Sequence, residues 1–227
     1  MKNRMAAVIA GIALVAAAAV WQVTAGTGPI ARTSAAAAPA APAQIPATAQ
    51  RFVIDPQASE ASYHVGETFF RDNTFKVAVG VTHGIQGDVY VDRAHPDQSR
   101  IGTITVNVNE FTSDSRHRDN AIRTGWLESD KYPTATFTPT SIEGLPKTYV
   151  AGQTIPVKIT GNLTVHSVTK PTTFAGTLKL SGETLTGTMQ TTVVMKDFGF
   201  DPPSIMMLQT QDKANLEFQF TAHPFGA

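Results

Sequence analysis

The chain has 227 residues, and its first fifty differ in kind from the rest: they hold 19 alanines and the basic residues Lys2, Arg4 and Arg32 but no acid, which leaves 15 basic against 18 acidic residues in 51–227. That remainder carries no basic surplus with which to neutralise phosphates, so a nucleic-acid binder is disfavoured. There is no cysteine, which excludes a disulfide scaffold, thiolate catalysis, cysteine metal sites and a lipid-modified N-terminal cysteine.

Lys2 and Arg4 precede an uncharged run, residues 5–23, broken only by Gln22. At about 1.5 Å per residue such a run nearly spans a hydrocarbon core of about 30 Å. Residues 1–25 are therefore expected to meet a membrane as a signal or an anchor, with everything after them exported. Val23-Thr24-Ala25 offers the small residues of a cleavage site, but the run is longer than an ordinary signal core, which favours a retained anchor. Residues 26–50, ending in AAAAPAAPAQIPATAQ, are too poor in large apolar groups to pack and are expected to be a linker. The folded domain is expected over 51–227, long enough to bury roughly 70% of its unfolded surface.

From residue 51 onward there are 26 threonines, and apolar residues recur at period two, the pattern of strands with one buried face. After short strands near Phe52 and over 61–65, Phe75, Val77, Val79 and Val81 form one apolar series, resumed by Val89 and Val91 after a bend at Gly84 and Gly87. Ile104, Val106 and Val108 form the next. Residues 118–128 read as a helix, with Ile122, Trp126 and Leu127 on one side, ending near Tyr132-Pro133. A strand over 134–142 contributes Phe137. Ile155, Val157, Ile159, Leu163 and Val165 come next, then Phe174, Leu178 and Leu180, joined through the Ser181-Gly182-Glu183 turn to Leu185, Met189, Val193 and Met195. Leu216, Phe218 and Phe220 close the set. Eight to ten mostly antiparallel strands with one apolar face each must form a sandwich or a barrel, and periodicity does not choose between them.

Few residues point to chemistry. No GxSxG, HExxH or Walker pattern occurs, and His117-Arg118-Asp119-Asn120 matches a kinase loop only by chance. The six histidines fall on different elements, so no metal site and no cofactor is expected. Glu110, Arg118 and Asp119, just after an inward series, mark one candidate mouth, with Trp126 on the adjoining helix. The apolar loop over 198–208, including Phe200, Met206 and Met207, is expected to lie over the core as a lid or to touch a membrane.

At these segments the chain resembles the YceI-like family of exported lipid-binding proteins. The resemblance is carried by Phe52-Val53-Ile54-Asp55, by Gly84-Ile85-Gln86-Gly87-Asp88-Val89, and by Arg118-Asp119-Asn120-Ala121-Ile122-Arg123 after Phe111-Thr112-Ser113-Asp114. Tyr132-Pro133-Thr134-Ala135-Thr136-Phe137, the string Gly161-Asn162-Leu163-Thr164-Val165-His166-Ser167-Val168-Thr169-Lys170-Pro171, and Lys196-Asp197-Phe198-Gly199 extend it over nearly all of residues 52–222. It implies an eight-stranded antiparallel lipocalin-like barrel whose elongated cavity holds a polyisoprenoid or another long-chain amphiphile. On that reading the apolar series line the cavity, and Glu110, Arg118, Asp119, Trp126, Phe200, Met206 and Met207 stand at its mouth. The expected function is non-enzymatic binding, storage or transport of such a lipid, with a homodimer left open. The rival is an exported protein-interaction module whose barrel is filled by its own side chains; a secreted hydrolase is a distant third.

Overall fold

A computed structural model describes residues 44–205 and 207–226. The segments expected to be a membrane anchor and most of the linker lie outside the described residues, as does Met206; among the described residues no helix is long and apolar enough to cross a membrane.

The chain forms β1 (Gln50–Ile54), β2 (Glu60–Phe69), β3 (Thr74–Thr82), β4 (Ile85–Gln86), β5 (Asp88–Val91), β6 (Arg100–Ile101), β7 (Ile104–Asn107) and β8 (Thr112–Ser113). The helix α1 (Arg116–Ala121) follows, continued by a π-helical turn at Ile122–Trp126. Then come β9 (Thr134–Glu143), β10 (Thr154–Val165), β11 (Val168–Ser181), β12 (Thr184–Val194), β13 (Ser204–Ile205) and β14 (Leu208–Pro224). All ladders are antiparallel and belong to one curled sheet. The chain is thus all-β with one short helix, as expected, but the sheet is a half-barrel of fourteen strands among the described residues rather than eight. The difference has a physical source: the stretch over 74–91 bends at Gly84 and Gly87 and changes partners, so β3 pairs β2, β4 pairs β7 and β5 pairs β1. Where the curl comes round on itself, only short ladders and single bonds join the strands. Asn107 donates its N–H to the Gly84 carbonyl at 2.6 Å, and the Thr82 hydroxyl donates to the Asn107 carbonyl at 3.1 Å.

One end of the curl is packed solid. Phe52, Ile85, Leu180 and Ala222 are buried there with Val157, Leu178 and Leu185, and Ile155 packs against them. The turn joining β11 to β12 closes this end, where Leu185 pairs with Ala222 and Leu180 with Leu185. The Thr48 hydroxyl donates to the buried Asp92 carboxylate, which also accepts the N–H groups of Ala94 and His95.

The largest departure from the sequence reading is β3. Phe75, Val77, Val79 and Val81 were expected to face the core, yet Phe75 and Val77 are more than half exposed, and Ala78, Gly80 and Thr82 are the buried face. The cause lies on the neighbouring strand. Gly80 pairs with Tyr63, and a Cβ at position 80 would stand 2.2 Å from the Tyr63 ring. The ring, set edge-on to Phe111 with centroids 5.1 Å apart, fills the space that valines would need. Only the small-residue face of β3 fits over it, and a strand cannot present one face without turning the other outward.

Candidate functional site

Above the packed end the sheet encloses a cavity of about 260 Å³. Thirteen of the twenty residues expected to line it do so: Ile104, Val106, Val108, Phe137, Ile159, Leu163, Val165, Phe174, Met189, Val193, Leu216, Phe218 and Phe220. Ile155, Val157, Leu178 and Leu185 face inward but lie below it in the solid end, where neighbouring side chains leave no room. Val77, Val79 and Val81 are turned away with the outer face of β3.

Two segments cover the other end. The helical segment lays Ile122, Trp126 and Leu127 on the cavity, the same side that helical spacing picked out. Its last turn is widened, with the Leu127 N–H reaching the Ile122 carbonyl five residues back at 3.1 Å. A latch holds it down. Glu128 and His166 both have left-handed backbones, at φ 44° and 60°, unfavourable for residues with side chains, and His166 Nε2 meets Glu128 Oε2 at 2.8 Å. Tyr132 packs on the His166 ring at 3.9 Å. The hydrogen bond with His166, with Lys131 beside it, holds the Glu128 carboxyl below its ordinary range. The second cover is the loop before β13, in which Phe198 is buried and Phe200 and Pro203 line the cavity. Met207, expected with them, is 48% exposed, because the turn into β14 carries it to the outside.

Polar groups gather at this covered end. Arg118, from α1, reaches Glu67 of β2 with two nitrogens, Nη2 to Oε2 at 3.0 Å and Nε to Oε1 at 3.3 Å. It also donates to Asp114 and to the Ser113 hydroxyl. Burial works against the guanidinium charge, but the bonds to Glu67 and Asp114 prevail and raise its pKa. Asp119 is buried but turned from the cavity. It accepts the Ser113 hydroxyl at 2.6 Å and the Ser113 N–H at 3.2 Å, fixing the loop that starts the helix. Glu110 is exposed and accepts from Asn107 Nδ2, because residues 108–110 turn off the strand as a 3-10 helix. Of the three charged residues expected at the mouth, Arg118 alone lines the cavity.

Sequence reasoning missed Tyr63, Glu67 and Thr210, all of which line the cavity. Continuing the alternation Ala61, Tyr63, Val65 by one step places Glu67 on the inner face; nothing local marks Thr210, which reaches it because β14 pairs Thr210 with Glu67. The Tyr63 hydroxyl and the Thr210 hydroxyl are both buried without a hydrogen-bond partner in the protein. Burial pushes the Tyr63 phenol up to about 12, so it is a neutral donor at any physiological pH. Two buried hydroxyls with nothing to bond are costly; Tyr63 feels Arg118, whose charge is already met by carboxylates, and Thr210 is paired with Glu67.

A curled antiparallel sheet around an apolar cavity with one polar end is a lipocalin-type fold. Residues 52–222 match the YceI-like domain, and the chain belongs to that family. It is 32% identical over 171 residues to a UPF0312 protein of Shewanella baltica, covering 69% of this chain and 80% of that one. Among solved structures it is similar in fold to BcnA of Burkholderia cenocepacia, with a TM-score of 0.57 and 19% identity over 74% of this chain and 98% of that one. It is also similar to a polyisoprenoid-binding domain of Saccharophagus degradans implicated in plant cell wall breakdown, with a TM-score of 0.56 and 12% identity over 76% and 98%.

Proposed function

We propose that the domain binds, stores or carries a long-chain amphiphilic lipid in this cavity, outside the cytoplasm, without transforming it. The observation that carries the reading is the lining: aliphatic and aromatic side chains from seven of the longer strands and from both covers enclose space that the protein does not fill. Membership of the YceI-like family and fold similarity to a polyisoprenoid-binding domain support a polyisoprenoid as the tail. Affinity then comes from area, at about 0.8 kcal/mol for each buried CH₂. The cavity lies just under the usual range of about 300–1,000 Å³, so a long tail requires side chains to yield, and Met189 and Met195 on its wall are the adaptable ones.

The polar end favours an uncharged head. Arg118 is engaged by Glu67 and Asp114, so a phosphate there would meet carboxylates as well as the cation, whereas a carbonyl or hydroxyl oxygen can accept from Tyr63 and Thr210. Export rests on residues 1–25 and is tested separately, by the intact mass and fractionation of the native protein. The rival, a barrel filled by its own side chains, expects no cavity of this kind.

Mass spectrometry of an organic extract of the purified protein tests the proposal. One lipid in stoichiometric amount is expected, and Val106→Trp, which places an indole in the cavity, should displace it while the protein stays folded. Thr177→Trp, on the outer face, should keep it. A protein without lipid, or a Val106→Trp variant that retains lipid and is destabilised by about 1–3 kcal/mol as an overpacked core would be, overturns the open-cavity reading.

A further inference from the structure

The outward face of β3 differs in kind from that of β10 and β11. On β10 and β11 the outer positions are Lys158, Thr160, Thr173, Thr177 and Lys179, whereas β3 presents Phe75 and Val77 at 56% and 53% exposure. Phe70 and Met207, at 54% and 48%, join them, so four of the seven exposed large apolar residues among the described residues form one group. Their contiguity is set by pairing. The Phe70 N–H bonds the Met207 carbonyl at 3.0 Å; Val77 pairs with Gly66; and a Cβ on Gly66 would stand 2.9 Å from the Phe75 ring.

The group sits at the covered end of the cavity. Glu67 and Thr210, both on its wall, pair with each other three residues before Phe70 and three after Met207. The turn joining β11 to β12, at the solid end, is the far pole of the sheet. Two exposed cations lie at the same tip: Arg71 in the turn between the phenylalanines, and Lys76, which pairs with Glu67 on the opposite face of β3 and has its Nζ 5.7 Å from the Phe69 ring centre. The stretch over 69–77 has two cations and one acid, Asp72.

We infer that this tip docks on an anionic lipid surface, setting the cavity end against the bilayer. Aromatic and methionine side chains at a tip that also carries an arginine and a lysine suit the headgroup boundary, where the rings enter the acyl region and the cations stay among phosphates. A second copy of the chain fits less well. Aromatic side chains bury roughly 150–250 Å² each, so two half-exposed phenylalanines with a smaller valine and a methionine offer at most on the order of 400 Å², half of the ~800 Å² per partner in a stable interface. The inference takes its purpose from the carrier reading, since an apolar ligand that leaves a bilayer directly into a cavity avoids water, but its geometry stands apart from it.

The chain has no cysteine, so single cysteines introduced as Asp72→Cys at the tip and Ser181→Cys at the far pole can each carry an NBD fluorophore in the full-length protein. With vesicles of phosphatidylcholine and phosphatidylglycerol, the label at 72 should shift to the blue and lose access to aqueous iodide, and the label at 181 should do neither. This contrast is independent of any affinity that residues 1–43 have for the vesicles. Phe70→Ser with Phe75→Ser should reduce the shift at 72 at least threefold. Equal shifts at 72 and 181, a shift indifferent to the serine substitutions, or a shift that grows with protein concentration without vesicles overturns the inference, the last in favour of self-association. Lipid content measured on the same samples separates the two readings. A lipid-loaded protein with no shift overturns docking alone, and a lipid-free protein with the shift supports docking while overturning the carrier reading.

Discussion

Two parts of one sheet, β3 and the β10–β12 ladder, have the same alternation and opposite orientations. On β10 to β12 the apolar positions, Val157, Ile159, Leu163, Leu178, Leu185 and Met189, are the buried ones. On β3 the apolar positions are the outer ones, and alanine, glycine and threonine face inward. Period two says that the two faces of a strand differ; it does not say which face the fold buries. On β10–β12 the facing space is open and hydrophobicity decides. At β3 the Tyr63 ring already occupies the space, and side-chain volume overrides hydrophobicity.

Paired truncations should separate the two regions most strongly. Leu178→Ala should cost about 2–5 kcal/mol, as a large-to-small change in a packed core does, while Val77→Ser, removing a side chain of similar hydrophobicity, should stay within about 0.5 kcal/mol. Urea denaturation of both variants measures this, and comparable losses would mean that β3 is oriented as its sequence alone suggests. A sharper test addresses the cause. Gly80→Val should cost about 1–3 kcal/mol through overpacking against the ring, and in a Tyr63→Ala background the same change should cost clearly less, a coupling that a double-mutant cycle reads directly.

The smallest expected effect concerns the latch that joins the two regions, since His166 stands at the turn between β10 and β11 while Glu128 holds the cavity cover. The folded-state pKa of Glu128 lies below its ordinary 4.5. Its contribution to stability is therefore present above about that pH and is lost as the pH falls through the lower folded value. The stability difference between the native protein and Glu128→Gln should accordingly shrink as the pH falls below about 4.5, as followed by denaturation at each pH. A difference that grows on acidification would contradict the sign.

Much of the site was legible from residues alone. The apolar series of β7, β10, β12 and β14 line the cavity or pack beneath it, and the spacing of Ile122, Trp126 and Leu127 picked out the side of the helical segment that covers it. In each case one face of an element is apolar and the facing space is free, so local pattern and global packing agree. The polar end was only partly legible. Arg118 stood out as a charge next to a strand end, but its partner Glu67 is 51 residues away, and Thr210 meets Glu67 only through the pairing of β14 with β2.

The sequence by itself determined an all-β domain, the alternation within each strand, the position of the short helix and membership of the YceI-like family, because period, turn residues and ordered motifs are local properties of the chain. Only the tertiary structure decided that β3 turns its valines outward, that the bend at Gly84 and Gly87 divides one stretch among different partner strands, and that Tyr63, Glu67, Arg118 and Thr210 share one end of the cavity. Each of these depends on which side chain reaches a given volume first, and that competition is between residues far apart in sequence.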